Sequence, residues 1–114
     1  PIGIEKMGCH ICSSLQEAVE GADVVMGLRI QKERLKKALI PSTEEYARFF
    51  GLDLRHLAGS KKDALVMHPG PVNRGVEMTS LLIDSDQSRI TEQVTNGVAI
   101  RMALLYLLAG REEN

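Results

Sequence analysis

A chain of 114 residues forms one domain at most, and its length lets it bury roughly two-thirds of its unfolded surface around a real core. A net charge of −1 and the absence of tryptophan argue against a nucleic-acid partner or an anionic membrane surface. No stretch has a signal-peptide layout, and the longest apolar run, residues 98–109, is interrupted by Arg101 and falls short of the about 20 residues a bilayer requires; the expected location is the cytoplasm.

In chain order, residues 8–12 read as a weak strand. They hold both cysteines, in Cys9-His10-Ile11-Cys12. A metal site needs two more ligands at workable spacing, and neither His10, His56 nor His68 belongs to a repeat of that pair. A redox pair would normally open a helix after a strand. The expectation is therefore buried, reduced thiols, with no metal and no cofactor. Ser14-Leu15-Gln16-Glu17 has the capping-box pattern and opens a helix over 15–20, stopped by Gly21. Residues 23–28 form a continuous apolar run, short and β-branched, which predicts a strand buried on both faces.

Residues 29–39 are dense in charge and lead to Pro41. Ser42-Thr43-Glu44-Glu45 is a second capping box and opens a helix through Phe50, ended by Gly51. Residues 53–58 predict another short helix, ended by Gly59. Residues 64–68 form the second clear strand, followed by a Pro/Gly-rich loop over 69–77. Ser85 or Asp86 is the expected cap of a long final helix reaching Ala109, with Gly110 as its stop. That helix starts amphipathic and becomes apolar nearly all round from residue 98, so most of its sides must be covered. The expected fold class is α/β: a partial, doubly wound parallel sheet with flanking helices and a long C-terminal helix.

Ligands of open parallel sheets bind beyond the carboxyl ends of the strands. Two strand ends carry unusual chemistry here. After the first strand, Arg29 offers a planar fork of donors suited to a carboxylate. Gln31 lies two residues on, and Glu33 stands where it could hold Arg29. Spacing alone leaves a solvated charged loop open, and residues 32–41 read equally as a plain loop or a mobile lid. After the second strand comes His68-Pro69-Gly70-Pro71. Each proline removes a backbone donor and keeps its carbonyl, so the turn suits a neutral ligand carrying N–H groups and is a poor phosphate cradle. A merely rigid turn is equally compatible with the spacing, and His68 reads more readily as a packed turn residue than as a base.

Three runs, residues 28–34, 68–77 and 93–101, resemble the catalytic chains of aspartate carbamoyltransferases, in the right order and over nearly the whole chain. The first run separates that family from ornithine carbamoyltransferases, which share the fold. The resemblance implies transfer of a carbamoyl group from carbamoyl phosphate to the amine of L-aspartate, in pyrimidine synthesis, with no cofactor and within a homotrimer of complete chains. It implies that Arg29 and Gln31 bind aspartate and that Glu33 positions Arg29. Gly70 and Pro71 would meet the carbamoyl group across a cis bond, with His68 and Pro69 in support. It also implies that residues 1–114 are the aspartate-binding domain alone. The phosphate-binding motifs of an N-terminal carbamoyl-phosphate domain do not occur here, and the last helix would pack on that domain. A non-catalytic binding or assembly module with the same fold is the alternative.

Overall fold

The computed structural model describes residues 3–30 and 42–109. The expected lid and the residues Gln31 and Glu33 lie outside these. A 3-10 turn, Ile4–Met7, precedes helix α1, Leu15–Val19. Strand β1, Val24–Met26, follows, then helices α2, Thr43–Phe50, and α3, Leu54–Leu57. Strand β2, Leu65–Met67, leads to a short helix α4, Ser80–Ile83, and the long helix α5, Ile90–Ala109. The expected α/β class with a parallel sheet and a long last helix is what the chain adopts.

Local chemistry sets most boundaries. The Ser14 hydroxyl accepts from the Glu17 N–H, and the Ser42 hydroxyl accepts from the Glu45 N–H, so the serine half of both predicted capping boxes operates. Glu17 reaches back to Ser13 rather than Ser14, accepting from its N–H at 3.0 Å. That bond, and after it the His10 ring, hold the Glu17 carboxyl below its usual range. Asp53 caps α3 by accepting from the Arg55 and His56 N–H groups.

β1 and β2 pair in parallel, with Val24 opposite Leu65, Val25 opposite Val66 and Met26 opposite Met67. Among the described residues the sheet has these two strands. The other side of β2 is closed by the chain entering α5: Val66 N–H donates to Gln87 O at 2.9 Å, and Arg89 N–H donates to Val66 O at 2.8 Å. The core gathers around this pairing, from Val19, Val25, Leu52, Leu57, Val66, Met78, Leu82 and Ile90.

Three expectations need correction. Residues 8–12 form no strand; they run irregularly along the surface, with Cys9 exposed and Cys12 half-buried, so the thiols are not core groups. β1 is buried on one face only, Val24 and Met26 remaining half-exposed, because no described element covers their side. The last helix begins at Ile90, not after Ser85 or Asp86, because residues 85–88 form a turn closed by Ser88 N–H on Ser85 O before the chain pairs with β2. The apolar sides of α5 find no cover among the described residues, Met102, Leu105, Leu107 and Leu108 all being exposed, in line with the expectation that this helix packs on something outside the chain.

Gly51, at the end of α2, is required by contact rather than by conformation. A Cβ there would clash with the backbone carbonyl of Ala47 and lie 2.9 Å from Val76 O. Backbone cannot swing aside as a side chain can. Gly51→Ala is therefore expected to destabilise the chain by about 1–3 kcal/mol, read as a lower urea midpoint. Gly59→Ala, whose nearest neighbours stand at an ordinary 3.6 Å, is the control and should shift little.

Candidate functional site

Because β1 and β2 are parallel and in register, the chain leaves both strands at one edge. Gly27 N–H donates to Met67 O at 3.0 Å and extends the ladder by one residue. A Cβ on Gly27 would stand 2.6 Å from Met78 Cε and 3.3 Å from His68 Cδ2, so a bare backbone here lets the two segments close on each other. Arg29 follows two residues later on this edge and is exposed. Across from it runs His68-Pro69-Gly70-Pro71.

His68 is completely buried. Its backbone N–H donates to Gln93 Oε1 of α5 at 2.8 Å, and its Nδ1 accepts from Gly70 N–H at 2.9 Å. Accepting at Nδ1 puts the proton of the neutral ring on Nε2, which points at Glu77 Oε1 from 3.4 Å. The ring is thus sealed inside the turn as a brace. Gly70 has φ 71, a left-handed conformation that favours glycine, and the Gly70–Pro71 peptide is cis. Pro69 and Pro71 have no N–H, and that of Gly70 is taken up by His68. The turn therefore offers its surroundings carbonyl acceptors and no free backbone donor from residues 69–71.

Behind the turn, Glu77 is buried, with its Oε1 accepting from Asn73 N–H at 2.7 Å. Its Oε2 and His68 Nε2 have no hydrogen-bond partner among the described residues. Asn73 Nδ2 donates to Ile30 O at 3.5 Å, a long bond that spans from this loop to the segment carrying Arg29. Arg74 grips Asp84 in a two-bonded pair at 2.8 Å each, closing the far side of the loop. Burial first, and the Glu77 charge second, push the Tyr46 hydroxyl of α2 up from its ordinary value. α2 lies beside the same loop, since the Leu52 N–H just after it donates to Glu77 O at 2.9 Å. A cavity of about 640 Å³ also lies between α1 and α2, lined by Cys12, Leu15, Tyr46, Phe49 and Phe50 among others, but it includes neither Arg29 nor the proline turn.

The structure thus brings the Arg29 segment and the His68–Pro71 turn to one sheet edge. The braces were not foreseen. Gln93 lies 25 residues from His68 and Glu77 lies nine from it, and no spacing rule marks either as its partner.

Comparison with known proteins agrees with this architecture. The family model described as aspartate/ornithine carbamoyltransferase, Asp/Orn binding domain, matches residues 4–108. An aspartate carbamoyltransferase catalytic subunit of Acetivibrio thermocellus is 62% identical over 112 residues, covering 98% of this chain and 36% of the relative. That of Halothermothrix orenii is 60% identical over 114 residues, again with 36% of the relative covered. This chain thus spans little more than a third of the length of these relatives. Among solved structures, ornithine carbamoyltransferase from Pyrococcus furiosus superposes with a TM-score of 0.72 at 26% identity, over 88% of this chain and 32% of that one. Aspartate transcarbamoylase from Trypanosoma cruzi, in complex with carbamoyl aspartate and phosphate, superposes with a TM-score of 0.65 at 27% identity, over 83% of this chain and 28% of that one.

Proposed function

The chain belongs to the aspartate/ornithine carbamoyltransferase family, with its Asp/Orn-binding domain spanning residues 4–108, and on that premise we propose that it is the aspartate-binding half of an aspartate carbamoyltransferase. The observation that carries the reading is the shared sheet edge. A guanidinium and a donor-poor proline turn follow adjacent parallel strands, and the Asn73–Ile30 bond spans the two segments. Arg29 and Gln31 take an aspartate carboxylate, with Glu33 in a supporting role. The Arg29 charge favours a dicarboxylate acceptor and repels the cationic side chain of ornithine. The carbonyls of Gly70 and Pro71, with His68 and Pro69 bracing them, accept from the carbamoyl N–H groups.

In the reaction, the neutral amine of aspartate attacks the carbamoyl carbon and forms the new N–C bond. The C–O bond to phosphate breaks, phosphate leaves with the electron pair, and the amine nitrogen gives up a proton. This chemistry calls for no metal or cofactor. Positioning and fixed dipoles lower the barrier. Phosphate binding and stabilisation of the developing oxyanion fall to the part of the relatives that this chain does not match. In this reading the exposed apolar stripe of α5 packs on that part, and complete chains act as a homotrimer in cytoplasmic pyrimidine synthesis. Among the described residues, no helix is long and apolar enough to cross a membrane.

The test joins this chain to the remaining portion of a relative, made separately, and assays both amino acids. Carbamoyl aspartate should form, with ornithine a poor substrate. Tight association without turnover would favour a non-catalytic assembly module, and a preference for ornithine would overturn the assignment of Arg29.

A further inference from the structure

We propose that His10, Cys12 and Glu17 form a binding site for one divalent cation of the zinc class. The imidazole nitrogen, thiol sulfur and carboxylate oxygen of these three residues all lie within 4.8 Å of one another. None of them belongs to the sheet-edge site, and the inference does not depend on the function proposed above.

The donor set selects the metal. Imidazole, thiolate and carboxylate together suit a borderline-soft ion such as zinc, whereas calcium and magnesium take oxygen ligands. Thiolate and carboxylate together balance the charge of a divalent ion. The His10–Glu17 pair already stands at ligand spacing, and the Cys12 sulfur lies within 4.8 Å of both. His10 Nε2 and Glu17 Oε1 are 3.5 Å apart, long for a hydrogen bond. Two ligands held about 2.0–2.1 Å from a tetrahedral zinc stand about 3.3–3.4 Å from each other.

The local fold holds the carboxylate ready. Glu17 Oε2 accepts from Ser13 N–H at 3.0 Å and from Ser13 Oγ–H at 3.2 Å, which leaves Oε1 turned toward His10. Such outer partners orient ligands in metal sites. The His10 and Glu17 side chains are 80% and 45% exposed, so an ion can enter without rearrangement of the core. Three protein ligands leave a fourth position open to water. Cys9, although spaced as zinc-binding pairs are, is outside the set of three.

The experiment titrates the full chain with Co²⁺ under reducing conditions and follows absorbance. A thiolate-to-cobalt charge-transfer band with tetrahedral visible bands is expected, and Zn²⁺ should bleach both. Cys12→Ser should abolish the near-ultraviolet band. His10→Gln and Glu17→Gln should each weaken binding by about tenfold or more, while Cys9→Ser should leave it unchanged. These positions lie outside the core, and circular dichroism is the check that each variant stays folded. No thiolate band in the parent chain, a band that follows Cys9 instead of Cys12, or unaltered binding in both the His10 and Glu17 variants would overturn the site.

Discussion

Replacing Arg29 by alanine is expected to lower kcat/KM for aspartate by on the order of a hundredfold or more in the complete enzyme, with the KM for carbamoyl phosphate little changed. A charge-assisted hydrogen bond contributes about 1.5–3 kcal/mol, and a hundredfold corresponds to about 2.7 kcal/mol. Loss of one such bond therefore reaches the expected size, and a two-bonded carboxylate exceeds it. Arg29→Lys keeps the charge and loses the planar fork, so it should fall between parent and alanine. Arg29 is exposed and outside the core, so thermal stability should hardly move in either variant. An alanine variant with the parental aspartate KM and kcat would remove Arg29 from the site.

The second large effect concerns the scaffold. Leu82 of α4 is fully buried in the core cluster with Val66, Met78 and Ile90. Leu82→Ala is expected to cost about 2–5 kcal/mol, the lost transfer energy plus the cavity left behind. A domain of this size has about 5–15 kcal/mol to lose, so the variant stands near the threshold of folding. Leu81, its neighbour in sequence, is 74% exposed, and Leu81→Ala should shift stability by no more than about 0.5 kcal/mol. Equilibrium urea unfolding of the pair separates the two. Equal midpoints would mean that α4 does not anchor the core as described.

The physical link between scaffold and site is the loop over residues 72–79. Met78, fully buried, packs against Gly27, while Glu77 next to it holds Asn73 and faces His68. Disturbing the core at Leu82 or Met78 therefore threatens the proline turn through residues that touch no ligand. Stability losses at these positions should carry a disturbed proline turn with them, whereas losses at Gly51 act through the end of α2.

The chain's own order of residues determined whatever rests on neighbours. The caps at Ser14, Ser42 and Asp53, the stop at Gly51, and the stiff donor-poor turn at Pro69–Pro71 all follow from chemistry within four residues. The two strands are short apolar runs and were legible as such, and the Arg29 and His68 segments stood out because they follow them. Only the tertiary structure decided what depends on distant partners: the register of the parallel pairing, the burial of His68 between Gln93 and Glu77, the late start of α5, and the surface path of residues 8–12 that sets His10 and the half-buried Cys12 beside Glu17. Local hydrogen bonds leave a spacing signature because few backbone conformations satisfy them. Contacts closed by packing across 25 residues leave none, since any side chain of suitable shape and polarity could have met His68 from elsewhere in the chain.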